Sequence, residues 1–81
     1  MNIHVRFYSY FKEITGCPHV IETIAEGSTL RDLIDHLSAH FPGFASMRKS
    51  MLVAVGVEYQ DGNYQLKEGD EVSLFPPVQG G

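Results

Sequence analysis

The last six residues of the sequence, 76–81, combine residue types that suit a reactive chain terminus. Pro76 and Pro77 stiffen the approach, and Gly80 and Gly81 have no side chain, so a narrow tunnel or an ATP site can come close to the backbone. Six extended residues reach roughly 20 Å at about 3.3–3.6 Å each. An α-carboxylate is a poor electrophile until it is adenylated. The pattern therefore predicts that Gly81 is activated and attacked within another protein.

Two other pairs of side chains could carry chemistry. Cys17 and His19 suggest a nucleophile and its base, but no third orienting group and no electropositive surroundings are evident. His36 and His40 have metal-ligand spacing on a helix, but the Glu of a His-Glu-x-x-His motif is missing. We expect neither pair to be catalytic or to bind a metal. The single cysteine and the lack of a signal-peptide pattern predict a cytoplasmic protein.

One strong helix and several strands must position the terminus. Thr29 and Asp32 fit a capping box, and an apolar stripe at helical spacing follows until Pro42. The stripe consists of Leu30, Leu33, Ile34, Leu37 and Phe41. Strands are predicted over residues 3–7, 19–24, 51–55, 58–60 and 71–75. A short helix over residues 9–15 should stop at Gly16, and residues 44–50 should be irregular or form one short helical turn.

This order of elements predicts an α+β fold. One helix with a wide apolar stripe needs one sheet face to cover, which favours a β-grasp, or ubiquitin-like, roll of about five strands around that helix. The crossover through the helix allows the first and last strands to lie side by side in parallel. We expect residues 1–75 to form the β-grasp domain and residues 76–81 to form a flexible Gly-Gly tail.

Size and charge narrow the functional classes. A chain of 81 residues forms one small domain and has little room for a self-contained enzyme site. The net charge of −4 argues against nucleic acid and against an anionic membrane surface as partners. No apolar run approaches the roughly 20 residues that span a bilayer.

Two segments resemble a known family. Residues 69–72, Gly-Asp-Glu-Val, and residues 76–81, Pro-Pro-Val-Gln-Gly-Gly, are similar to the C-terminal signature of the MoaD/ThiS sulfur carriers, which include the small subunit of molybdopterin synthase. Residues 5–16 and 29–34 resemble the family's first strand, short helix and capped helix. The bend at Gly56-Val57 departs from the family, whose members often have Asn there.

The resemblance implies a carrier that is not catalytic alone and binds no cofactor itself. An E1-like adenylating enzyme would use ATP and Mg²⁺ to activate Gly81, and a persulfide donor would convert the adenylate to a thiocarboxylate. The tail, including Val78 and Gly80, would enter the active site of the large subunit of molybdopterin synthase, in a complex of two small and two large subunits. There it would donate sulfur to cyclic pyranopterin monophosphate, forming the molybdopterin dithiolene.

The docking surface is predicted less directly. Phe7, Tyr59 and Phe75 are candidates for an exposed apolar patch near the tail, although Phe7 suits the core equally well. Glu68, Asp70 and Glu71 could meet a basic surface on the activating enzyme or could form an ordinary solvated turn.

Three alternative functions stay open. The chain could carry sulfur for another pathway, such as that of thiamine thiazole, since the activation chemistry is shared. It could be a protein modifier whose Gly81 forms an isopeptide bond. It could also be a plain β-grasp binding module, whose tail would be dispensable.

Overall fold

The fold is a mixed five-stranded sheet that wraps around one main helix. The computed structural model describes residues 1–77. The strands are β1 (Asn2–Phe7), β2 (His19–Thr23), β3 (Leu52–Val55), β4 (Glu58–Tyr59) and β5 (Glu71–Phe75). The helices are α1 (Phe11–Thr15) and α2 (Leu30–His40), and a 3₁₀ helix spans Pro42–Met47.

The first and last strands form the centre of the sheet. The strand order is β2-β1-β5-β3-β4, and β1 and β5 run parallel with Val5 opposite Val72. The other pairs, β1 with β2, β5 with β3 and β3 with β4, are antiparallel. This arrangement confirms the predicted α+β roll, including the parallel neighbours joined by a crossover.

The core lies between α2 and one face of the sheet. Leu30, Leu33, Ile34 and Leu37 supply the buried stripe of α2. The sheet contributes the fully or almost fully buried side chains Ile3, Val5, Phe7, Val72 and Leu74. Burial of each such side chain contributes about 1.5–3 kcal/mol, so this interface holds the roll together.

A second part of the core was not evident in the sequence. Phe44, in the 3₁₀ helix, is 1% exposed and packs against the rings of Phe7, Phe11 and Phe41. Its ring centroid lies 5.7 Å from that of Phe7 and 4.9 Å from that of Phe11. The 3₁₀ helix therefore closes one end of the roll with an aromatic cluster. A lone aromatic residue among small residues has no periodicity from which this burial could be predicted.

The ends of the two α-helices follow their local sequence. The Thr29 hydroxyl accepts a hydrogen bond from the Asp32 backbone N–H at 3.3 Å, and the Asp32 carboxylate accepts one from the Thr29 backbone N–H at 2.9 Å. This confirms the predicted capping box. Helix α1 ends at Gly16, which has φ +75°, and begins only at Phe11 because Ser9 has φ +56°. Among residues 1–77, no helix is long and apolar enough to cross a membrane.

The capping box gives a testable stability prediction. Thr29→Ala removes the acceptor for the Asp32 N–H, and we expect it to lower the free energy of unfolding by about 1 kcal/mol. Thr29→Ser keeps a hydroxyl and should retain most of that stability. Urea denaturation measures both variants. Equal losses for the two would contradict a role for the hydroxyl.

Candidate functional site

The sheet determines where the C-terminal segment leaves the domain. Strand β5 stays paired up to its last residue, Phe75, which lies opposite Leu52 at the start of β3. On the other side, the Tyr8 backbone N–H donates to the Leu74 carbonyl at 3.2 Å, just after β1 ends. Pro76 and Pro77 follow directly, and a proline cannot donate to a ladder. Val78, Gly80 and Gly81, on which the predicted chemistry depends, lie outside the described residues.

An apolar surface adjoins this exit, on the sheet face opposite α2. We call it the aromatic patch; it consists of Tyr8, Leu52, Tyr59 and Phe75. The ring of Phe75 stacks on that of Tyr8 with a centroid distance of 4.6 Å and meets the edge of the Tyr59 ring at 6.5 Å. Tyr59 is 69% exposed, and Tyr8 and Leu52 are each 39% exposed. Exposed aromatic side chains of this kind are typical anchors of protein interfaces.

The aromatic patch and the two prolines border the same shallow groove. The groove has a volume of about 470 Å³ and is lined by Ser9, Tyr10, Leu52, Tyr59, Phe75, Pro76 and Pro77. We call it the tail groove. Because Pro76 and Pro77 form part of its wall, a protein that binds these two prolines would also contact the aromatic patch. Among residues 1–77, the groove combines apolar and aromatic walls with the start of the C-terminal segment, and no acid–base pair lines it.

Two of the three predicted docking aromatics lie in the patch, and the third does not. Tyr59 and Phe75 lie there as predicted. Phe7 is only 2% exposed and packs on Phe44 in the core, so its assignment to a docking surface was wrong. The physical reason is strand alternation: Phe7 shares the inward face of β1 with Ile3 and Val5.

Sequence reasoning missed Tyr8, which takes the place expected for Phe7. The signal was available in the same alternation. If residues 3, 5 and 7 point into the core, residue 8 points toward the opposite face. Tyr8 therefore lies on the outward face of the sheet beside Phe75 of β5, and the two rings stack.

The acidic residues before β5 all have partners within the domain. Glu68 accepts from the Asn2 backbone N–H at 3.2 Å, and Asp70 accepts from the Lys67 N–H at 2.9 Å. Asp70 also accepts from the Tyr64 hydroxyl at 3.2 Å. Burial and then this carboxylate raise the pKa of Tyr64 above its ordinary value. These contacts favour the interpretation of this segment as a structural turn.

Glu71 has a partner too, on the neighbouring strand. Its carboxylate lies 3.3 Å from the Arg6 guanidinium, and both side chains are about half exposed. A surface ion pair of this kind contributes about 0–1 kcal/mol. The pair therefore neutralises two charges on the open sheet face, and its contribution to the stability of the fold is small.

The Cys and His residues considered in the sequence have further neighbours, and His36 and His40 also lie side by side, with their ring centroids 4.9 Å apart. The His19 ring faces His4, with 3.4 Å between ring nitrogens. His36 lies 2.9 Å from the Glu22 carboxylate, across from β2. Cys17 is a half-buried free thiol. Within residues 1–77, no three His, Cys, Asp or Glu side chains are grouped so that they could hold a metal ion.

Fold and site together define the class of protein. A five-stranded mixed sheet around one helix, with the chain leaving the sheet from a strand beside β1, is a ubiquitin-like β-grasp architecture. Residues 5–81 match the model of the ThiS family, and the chain belongs to that family. The match confirms the resemblance inferred from residues 69–72 and 76–81.

Comparisons with individual proteins agree with this assignment. The chain is 32% identical to the molybdopterin synthase sulfur carrier subunit of Drosophila melanogaster, over 100% of this chain and 92% of that protein. The solution structure of the Haloferax volcanii HVO 2177 protein is similar with a TM-score of 0.89 and 28% identity, covering 100% of this chain and 87% of that one.

A second similar structure contains two subunits. It is the protein–protein complex of subunits 1 and 2 of the molybdopterin-converting factor from Helicobacter pylori 26695. The TM-score is 0.71 and the identity 28%, and the match covers 100% of both chains.

The contrast between Phe7 and Tyr59 gives a prediction. Phe7→Ala should lower the free energy of unfolding by about 3–5 kcal/mol because it opens a cavity in the core. Tyr59→Ala should change it by only about 0.5 kcal/mol, because the side chain is exposed. Chemical denaturation of both variants tests this. A loss for Tyr59→Ala as large as that for Phe7→Ala would show that the patch is part of the core.

Proposed function

We propose that this protein is the sulfur-carrier subunit of a molybdopterin synthase. The observation that carries the proposal is full-length similarity to a molybdopterin synthase sulfur carrier subunit, together with a tail that leaves the central part of the sheet. A rigid exit and an adjoining recognition surface are what a carrier requires, since the catalytic groups belong to its partners.

The reacting group is the α-carboxylate of Gly81. An E1-like adenylating enzyme joins it to AMP with the release of pyrophosphate from Mg²⁺-bound ATP. The persulfide sulfur of a donor then attacks the acyl carbon and displaces AMP, which leaves an acyl disulfide. A second thiol attacks the donor's sulfur in this disulfide, forms a new disulfide with the donor and releases the thiocarboxylate. Glycine suits the first two steps because it leaves the acyl carbon unhindered. This chain itself binds no cofactor in the sequence of steps.

The sulfur is delivered to a small molecule bound by another subunit. The tail from Pro76 to Gly81 spans roughly 20 Å when extended, enough to enter a deep active site. Its thiocarboxylate donates sulfur to cyclic pyranopterin monophosphate, and two such deliveries form the molybdopterin dithiolene. The acid–base and phosphate-binding groups are those of the large subunit.

The aromatic patch is the surface that docks on the large subunit, in a complex of two small and two large subunits. The complex of subunits 1 and 2 of the molybdopterin-converting factor from Helicobacter pylori supports pairing with a second subunit. The patch adjoins the exit of the tail, so one interface can hold the domain and direct the terminus. Tyr8, Tyr59 and Phe75 present apolar area with few rotatable bonds, which favours tight binding.

Mass spectrometry tests the chemistry at Gly81. The chain is incubated with an E1-like enzyme, ATP, Mg²⁺ and a persulfide donor, and the C-terminal peptide should gain the mass difference between sulfur and oxygen. A variant without Gly81, or with one residue added after it, should remain unmodified with an unchanged fold.

Cys17→Ser is the matched control for that experiment. The substitution removes the only thiol of the chain. Because the sulfur is carried at Gly81 and not at Cys17, the variant should still be loaded with sulfur as the unmodified sequence is. Two results would overturn the proposal. One is sulfur on the Cys17 peptide of the unmodified sequence, and the other is a Cys17→Ser variant whose C-terminal peptide gains no mass.

The same reaction distinguishes the alternative functions. Higher-mass conjugates on a denaturing gel would indicate a protein modifier. Sulfur loading without conversion of cyclic pyranopterin monophosphate by the large subunit would indicate a carrier of another pathway. A truncated tail with no consequence would indicate a plain binding module.

Docking through the aromatic patch gives a separate prediction. Tyr59→Ala and Phe75→Ala should each weaken binding to the large subunit about tenfold or more, because they remove central apolar anchors. Ile21→Ala is the control: Ile21 is 56% exposed but lies on β2, at the opposite edge of the sheet. Isothermal titration calorimetry measures all three. A similar loss for Ile21→Ala would contradict a localised interface.

A further inference from the structure

A second, larger groove lies between α2 and the edge of the sheet formed by β3 and β4. It has a volume of about 680 Å³ and contains residues from the N-terminal half of α2, the segment after the 3₁₀ helix and the turn after β4. Leu30, Ile34, Met51 and Val53 contribute apolar surface to it. An apolar floor of this kind can accommodate a bulky side chain of a ligand.

The rim of this groove is positively charged, although the protein is acidic. Every charged side chain of the sequence lies within residues 1–77, and three of the six Lys and Arg residues line the groove, against one of the ten Asp and Glu residues. The three cations are Arg31, Arg48 and Lys49, and the acid is Asp61. We call this site the cationic groove. Its local charge is opposite in sign to the net charge of −4.

Neighbouring groups fix two of these cations on the rim. Arg48 forms a salt bridge with Asp35 on α2. Arg31 lies along the backbone of Gly62, where an added Cβ would stand 3.4–3.5 Å from its side-chain atoms. Within residues 1–77, neither Arg31 nor Lys49 takes part in an ion pair. Both charges therefore remain available to a ligand.

The cationic groove and the tail groove lie on opposite faces of β3. Val53 lines the cationic groove, whereas the adjacent Leu52 lines the tail groove. Successive side chains of a strand point to opposite faces, so a ligand in one groove does not obstruct the other. A partner could thus bind the cationic groove while the aromatic patch and the tail are engaged elsewhere.

We propose that the cationic groove binds an acidic peptide segment of a partner protein that carries a bulky apolar side chain. The apolar side chain enters between Ile34 and Met51, and flanking carboxylates face Arg31 and Lys49. Charge complementarity of this kind accelerates association and sets the register of a peptide. This site is separate from the proposed sulfur chemistry, so its test does not depend on Gly81.

NMR spectroscopy of the full ¹⁵N-labelled chain tests the proposal. The probe is the synthetic peptide acetyl-Asp-Glu-Leu-Glu-Phe-Asp-Glu-amide, and a peptide with Lys at every acidic position is the control. The acidic peptide should cause saturable shifts at amides around Arg31, Lys49 and Met51, with little change at Tyr8 in the aromatic patch. The basic peptide should cause none of them.

A charge-matched pair of variants makes the test specific. Arg31→Glu combined with Lys49→Glu should weaken binding of the acidic peptide about tenfold or more, because two attractions become repulsions. Lys12→Glu combined with Lys67→Glu changes the net charge equally but lies outside the groove, and should alter affinity by less than about twofold. The dispersion of the amide shifts shows whether both double variants fold. If the Arg31→Glu and Lys49→Glu double variant does not fold, Arg31→Gln combined with Lys49→Gln replaces it.

Three outcomes would overturn the proposal. The first is the absence of saturable shifts with the acidic peptide. The second is an equal loss of affinity in both variant pairs, which would indicate diffuse attraction by net charge. The third is tighter binding of a single-stranded oligonucleotide at the same amides, which would assign the groove to nucleic acid.

Discussion

Burial of the apolar stripe of α2 against one face of the sheet is the interaction on which the rest of the structure depends. A single helix can cover only one face, so every strand has an inward and an outward set of side chains. Val5, Phe7 and Val72 point inward and are at most 2% exposed. Tyr8 and Tyr59 remain on the open side, and they become available for recognition. The core and the exposed aromatic patch are thus two consequences of one packing arrangement.

The same arrangement explains why such a small chain can support two separate surfaces. The core residues occupy the interior, and the edge strand β4 has only two residues, so the space between α2 and β3 stays partly open. One side of β3 presents apolar side chains next to the tail, and the other borders a positively charged groove. Nine of the ten acidic residues lie outside the lining of that groove, and among them Glu68, Asp70 and Glu71 have partners within the domain.

Much of the fold could be predicted from the sequence because strong local signals agree with one another. The capping box at Thr29, the helical spacing after it and the glycine stop at Gly16 each act within a few residues. A short helical turn near Phe44 was one of two predicted alternatives, but the burial of Phe44 could not be predicted in this way, because it depends on distant rings. At the site, the residue types were found but Phe7 was placed on the wrong face. The cationic groove could not be predicted either, since Arg31 and Lys49 are brought together only by the tertiary fold.

The parallel pairing of β1 with β5 also has a consequence for the order of folding. His4 lies opposite Glu71, so the central ladder joins the two ends of the chain and cannot form until both are present. Pairing between segments so distant in the sequence is intrinsically slow, because the loop between them must close before its contacts form. The direction in which Pro76 and Pro77 leave the sheet is set by that ladder. A domain in which the ladder is incomplete therefore does not hold these prolines beside the aromatic patch, so their position reports a finished fold.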